Sequence, residues 1–195
     1  MAKSRLSLAI AAVLATMGAP LAPPVAAQQT SQTKNPVVVL DTSCGPITIE
    51  LYPDKAPITV ENFLKYVDDG FYNNLLIHRV VPDFVIQGGG VNDKMEEKPP
   101  THGSIKNESG NGLANKRGFV AMARTSDPNS ATCQFFIDLK DNDRLDTMRY
   151  AVFGKVIDGM DAVDSIARVA RTTREGMSDV PVEPVYIKSA RRRKG

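Results

Sequence analysis

Residues 75–90 leave this chain few folds to choose from. Two apolar runs, 75–81 and 84–86, are rich in β-formers, and Pro82-Asp83 breaks them apart. Short runs of that composition around a turn signal predict two strand segments joined by a turn. His78, Arg79 and Gln87 are polar groups set into this apolar sequence. Burying a polar group without a partner costs a few kcal/mol. Either each finds a structural partner (a salt bridge for Arg79, a loop for Gln87) or the three line a cavity where a ligand supplies one. Alternation along a strand puts Val85 and Gln87 on one face and Ile86 on the other, so one side can be core while the other faces a pocket. Gly88-Gly89-Gly90 follows, which permits close backbone approach or a positive φ.

The rest of the chain carries the same signature. Residues 37–41 and 47–52 are β-rich and flank the turn-like Thr42-Ser43-Cys44-Gly45-Pro46, which predicts a hairpin. Pro57 opens a helix whose Val60, Phe63, Leu64 and Val67 form one apolar stripe, with Gly70 as its stop. Residues 91–117 show no periodicity; a loop that long is either functional or a surface excursion. Further strands are predicted at 118–123, 133–139, 151–156 and 182–188, the last containing Pro184, which suits an edge or closure position. Gln134, Phe136 and Asp138 share one strand face; Cys133, Phe135, Ile137 and Leu139 share the other, which is wholly apolar. A second amphipathic helix is marked by Met160, Val163 and Ile166. About eight short strands and two helices predict a mainly β chain, an antiparallel barrel or sandwich.

Lys3 and Arg5 precede an apolar run from Leu6 to Met17, and small residues end it at Val25-Ala26-Ala27. This predicts a signal peptide over 1–27, cleaved after Ala27; the run is too short for a membrane span. A flexible stub over 28–36, a domain over 37–190 and a basic tail over 191–195 complete the organisation. The formal net charge is +2, and the leader carries two cations and no acid, so the remainder is neutral. A neutral body argues against nucleic acid as the main partner. Cys44 and Cys133 are the two cysteines; export permits their pairing, and the sequence leaves it open. His78, His102 and the cysteines show no zinc spacing, so no metal is expected.

Several stretches occur together, in order, across residues 37–188. They include Glu61-Asn62-Phe63, Ile77-His78-Arg79-Val80-Val81-Pro82-Asp83-Phe84-Val85-Ile86-Gln87-Gly88-Gly89, Met122-Ala123-Arg124, Gln134-Phe135-Phe136-Ile137 and Val152-Phe153-Gly154-Lys155-Val156. In these the chain resembles the cyclophilin family of peptidyl-prolyl cis-trans isomerases, closest to its bacterial branch, whose exported members work in the periplasm. The resemblance implies a closed eight-stranded antiparallel β-barrel capped by two α-helices, with the substrate groove on the outside of the wall. It implies that Arg79 is the catalytic arginine, acting with Phe84 and Gln87. Phe84, Val85, Met122, Phe136 and Leu145 would receive the proline ring. His78, Gln87 and Gln134 would be polar groups of the groove. Ala123, Arg124 and Thr125 would meet the peptide backbone, and Tyr150 stands where a histidine is common. It implies no cofactor, proline-containing unfolded polypeptides as partners, and a monomer.

The chemistry suits those residue types. Rotating an X–Pro bond breaks amide resonance against a barrier of about 18–20 kcal/mol. No bond to a nucleophile need form, so a ring slot, a backbone clamp and a donor to the twisted amide suffice. Two departures are expected to matter. Arg144 stands where many eukaryotic members have a tryptophan that contacts cyclosporin, which predicts weak cyclosporin binding. Arg124 brings a side-chain charge to the groove and bears on peptide preference. Two rival readings exist: a non-catalytic peptide-binding module on the same fold, and a thiol hydrolase pairing Cys133 with His78.

Overall fold

The structure is a computed structural model that describes residues 35–193; the leader and most of the stub lie outside them. In chain order the elements are β1 (Val37–Thr42), β2 (Gly45–Leu51), α1 (Pro57–Asp68), β3 (Leu75–Leu76), β4 (Arg79–Val81), β5 (Val85–Gly88), β6 (Phe119–Met122), β7 (Phe135–Asp138), α2 (Asp143–Thr147), β8 (Val152–Asp158), α3 (Met160–Ala167), β9 (Arg171–Arg174), β10 (Met177–Pro181) and β11 (Tyr186–Arg192). Nine strands make one curled sheet in the order β3-β11-β1-β2-β8-β6-β7-β5-β4, and β9 and β10 pair separately.

The expected closed eight-stranded barrel is therefore replaced by a curled sheet of nine strands whose end strands, β3 and β4, do not pair with each other. The predicted strand over 75–81 is split at Ile77-His78. Up to Ile77 the chain still follows β11, since the Ile77 N–H donates to Val185 O at 2.8 Å in continuation of the β3–β11 register, and from Arg79 onward it pairs with β5 instead. The halves β3 and β4 consequently occupy the two ends of the strand order. Two helices become three, because α2 is a five-residue turn. The β9–β10 hairpin was not foreseen. The last strand runs later than expected: Pro184 precedes it, and Arg191 and Arg192 pair with Val39 and Val38 of β1. Those two residues of the supposed tail thus belong to the sheet, and the Arg192 guanidinium forms an ion pair with Asp68.

Strand alternation separates two apolar clusters. Ile47, Ile49, Ile86, Val120, Phe135, Ile137 and Phe153 belong to the main core. Val85, Ala121, Phe136, Leu145 and Val152 form a smaller cluster on the opposite sheet face. The stripe of α1 lies against the main core, where Phe63 sits 5.3 Å from Tyr72, 5.5 Å from Phe135 and 5.1 Å from Phe153 between ring centroids. Helix α1 has Pro at its start and no cap from its own flank. The long loop supplies one: Glu108 accepts from the N–H groups of Ile58 at 3.1 Å and Thr59 at 2.8 Å. A carboxylate is well placed there, since the first-turn N–H groups lack helical partners. The helix ends as the sequence indicates, with Gly70 at φ +64° just past its cap residue.

Candidate active site

Strand register builds the site. Arg79 on β4 pairs with Gln87 on β5, Gln87 with Phe136 on β7, Phe136 with Ala121 on β6, and Ala121 with Val152 on β8. Five outward side chains therefore stand in one row across the sheet, polar at one end and apolar at the other. Arg79 makes a long hydrogen bond to Gln87 Oε1 at 3.4 Å, and Gln87 Nε2 donates to Gln134 Oε1 at 2.9 Å. The Arg79 guanidinium stands 6.0 Å from the Phe84 ring centroid. Among the described residues it has no carboxylate within ion-pair distance. The triple glycine makes room for this network: Gly89 has φ +88°, and a Cβ on Gly90 would lie 2.4 Å from Gln134 Cγ.

Three clefts meet at Gln87. The first, about 370 Å³, has Phe84, Val85, Phe136, Leu145, Tyr150 and Ala123 as walls, with Arg79, Gln87 and Arg124 at its rim. Phe136 and Tyr150 meet edge-on, with centroids 5.6 Å apart. The second cleft is polar and adds Thr125, Ser130, Thr132 and Gln134. The third runs past His78 and Gln134 to Glu97 and to Met177 and Ser178 of β10.

Most of the anticipated residues thus converge, but not in one place. Arg79, Phe84, Val85, Gln87, Ala123, Arg124, Phe136, Leu145 and Tyr150 share the first cleft. Thr125 lines the second, His78 the third, and Gln134 both of these. Met122 does not join them. It is 2% exposed within the main core, because alternation along β6 turns it to the face opposite Ala121. His78 is buried, which depresses its imidazole to about 4, so it is neutral at ordinary pH. Arg144 is exposed on α2.

Residues that the sequence did not single out hold the slot together. Asn142 Nδ2 donates to Asp138 Oδ1 at 2.7 Å and to Phe84 O at 3.0 Å, tying the start of α2 to the turn that carries Phe84. Asp138 is wholly buried, which lifts its carboxyl to about 7. Its place on the outward face, two residues beyond Phe136, was the available signal. Cys133 is buried in the main core and lines none of the three clefts, and burial pushes its thiol up. That removes the Cys133–His78 hydrolase arrangement. Cys44 and Cys133 are both free thiols. Among the described residues no three His, Cys, Asp or Glu side chains converge as a metal would need.

The site is thus an apolar slot beside an uncompensated guanidinium on the outer face of a mainly β protein. Residues 37–192 match the model of the family described as cyclophilin type peptidyl-prolyl cis-trans isomerase. The chain is 54% identical over 157 residues to a peptidyl-prolyl cis-trans isomerase of Acinetobacter baylyi, covering 78% of this chain and 83% of that one. It is 52% identical over 161 residues to peptidyl-prolyl cis-trans isomerase B of Escherichia coli, covering 78% and 97%. Among solved structures, a cyclophilin type peptidyl-prolyl cis-trans isomerase of Cryptosporidium parvum, crystallised in the presence of the dipeptide Ala-Pro, superposes with a TM-score of 0.73 at 26% identity, covering 82% of this chain and 99% of that one. The chain belongs to the cyclophilin-type peptidyl-prolyl cis-trans isomerase family, and it is an enzyme of that class.

Proposed function

We propose that the first cleft takes the proline ring of an X–Pro segment and that Arg79 stabilises the twisted amide. The observation that carries this reading is the Arg79 guanidinium, free of any carboxylate among the described residues, at the rim of a slot walled by Phe84, Val85, Phe136 and Leu145. Holding the ring while the preceding carbonyl turns lowers the barrier only if the twisted form is favoured over both planar ones. At the twist the prolyl nitrogen becomes pyramidal and gains a lone pair. A guanidinium N–H can donate to it, and the same charge stabilises the carbonyl. Arginine suits the task because it stays charged at every working pH and presents its donors in a rigid fork. The Gln87–Gln134 pair gives Arg79 a side-chain partner without neutralising it. Every step is non-covalent.

Exchange NMR on an Ala-Pro peptide tests this. Arg79→Ala should lower the catalysed exchange rate about 100-fold or more, the scale of a lost transition-state donor, with peptide affinity changed only a few-fold. Equal losses in rate and affinity would instead favour a peptide-binding module. The leader-like segment at 1–27 supports a role in folding exported proteins in the periplasm, with unfolded proline-containing chains as clients. The slot is built within one chain, which supports a monomeric working unit.

A further inference from the structure

Arg124 sits on the ridge between the first and second clefts and lines both. Its guanidinium is pinned rather than loose. Nη1 donates to Thr125 O at 2.8 Å, Nη2 donates to Met148 O, and the group lies 4.4 Å over the Tyr150 ring. All three contacts are with neutral groups. Among the described residues no carboxylate comes within ion-pair distance of it. Asp127, in the same loop, turns Oδ1 onto the N–H of Asn129 at 2.9 Å and does not line the second cleft. The charge is therefore fixed in place and uncompensated.

The second cleft, about 450 Å³, differs in character from the apolar slot beside it. Its other walls are mostly amides and hydroxyls: Gln87, Gln134, Thr125, Ser130 and Thr132. Across the Gln87–Gln134 pair the third cleft carries both signs, with Glu97 and Arg79 among its walls. An immobilised guanidinium attracts an anion without the ordering cost that a free arginine would meet; with Nη1 and Nη2 each on a backbone carbonyl and Nε buried, it acts through its charge.

We propose that the second cleft selects an acidic side chain near the proline of the substrate, and that Arg124 is the specificity-determining residue. This rests on the first cleft holding the proline ring. The preference is confined to one position along the peptide, because Arg124 does not line the third cleft, where Glu97 stands with Arg79.

The test is exchange NMR on a neutral Ala-Pro host peptide and on variants with Glu, Gln or Lys two residues before, one before and one after the proline. At low salt, one position should favour Glu over Lys by about tenfold, the scale of one partly solvated charge contact. The ratio should shrink at high salt, fall to within twofold in Arg124→Gln, and survive in part in Arg124→Lys. Glu/Lys ratios below twofold at every position overturn the inference, as does a preference that Arg124→Gln keeps. The Arg124→Lys variant and the salt series stand even if Arg124→Gln folds poorly. A neutral host peptide left at its solvent rate sinks the reading of the first cleft and this inference with it. A catalysed host with no Glu preference overturns this inference alone.

Discussion

Burial holds the His78 imidazole down at about 4 and lifts the Asp138 carboxyl to about 7, so two side chains flanking the site push stability in opposite directions with pH. His78 has a folded value below its unfolded value of 6.5. Its contribution is complete above pH 6.5 and is lost as pH falls toward 4. Asp138 has a folded value above its unfolded 3.8. Its contribution is complete below pH 3.8 and is lost as pH rises toward 7. Each transition carries on the order of 3 kcal/mol. The two offset in the native chain, and single variants should expose them. Urea melts at pH 4.5, 5.5 and 7 should show Asp138→Asn gaining stability steadily as pH rises and His78→Gln losing it. Parallel curves for both variants and the wild type would falsify the assignment. Arg144 is the other informative residue at this scale. It puts a charge where many eukaryotic relatives have an aromatic ring, so inhibition by cyclosporin should be far weaker than nanomolar; a nanomolar constant in the exchange assay would count against that reading.

At the scale of elements, the cap on α1 comes from a residue about fifty positions away. Glu108→Ala leaves the N–H groups of Ile58 and Thr59 without the acceptor they share and should cost about 1 kcal/mol, the usual size of a lost N-cap, read as a lower urea midpoint. Helix α1 itself was legible, because Val60, Phe63, Leu64 and Val67 keep a strict period, and the outward row of Val85, Gln87 and Phe136 was legible because strand alternation is rigid. Other elements gave no such signal. All four residues of β9 are exposed, so no apolar period marks the hairpin that walls the third cleft. Five residues of α2 are too few to show one. Met122 was assigned to the ring slot from the resemblance, yet the alternation of β6 places it in the core with Val120. The break at Ile77-His78 was hidden because a strand that changes partner keeps its composition.

For the whole molecule, the address remains a proposal with a direct check. Material recovered from the periplasm of an expressing bacterium should begin at Gln28 by intact mass; retention of residues 1–27 would count against export. Neither cysteine needs an oxidising compartment, since both are free thiols, and folding yield should not depend on the redox state of the buffer. The aromatic cluster of Phe63, Tyr72, Phe135 and Phe153 fills the middle of the domain, and all three clefts lie on the opposite side of the sheet wall. Nothing therefore has to be threaded. With the proline seated as proposed in the first cleft, a long polypeptide would be laid across the wall, turned there and lifted away, with both of its ends still engaged elsewhere.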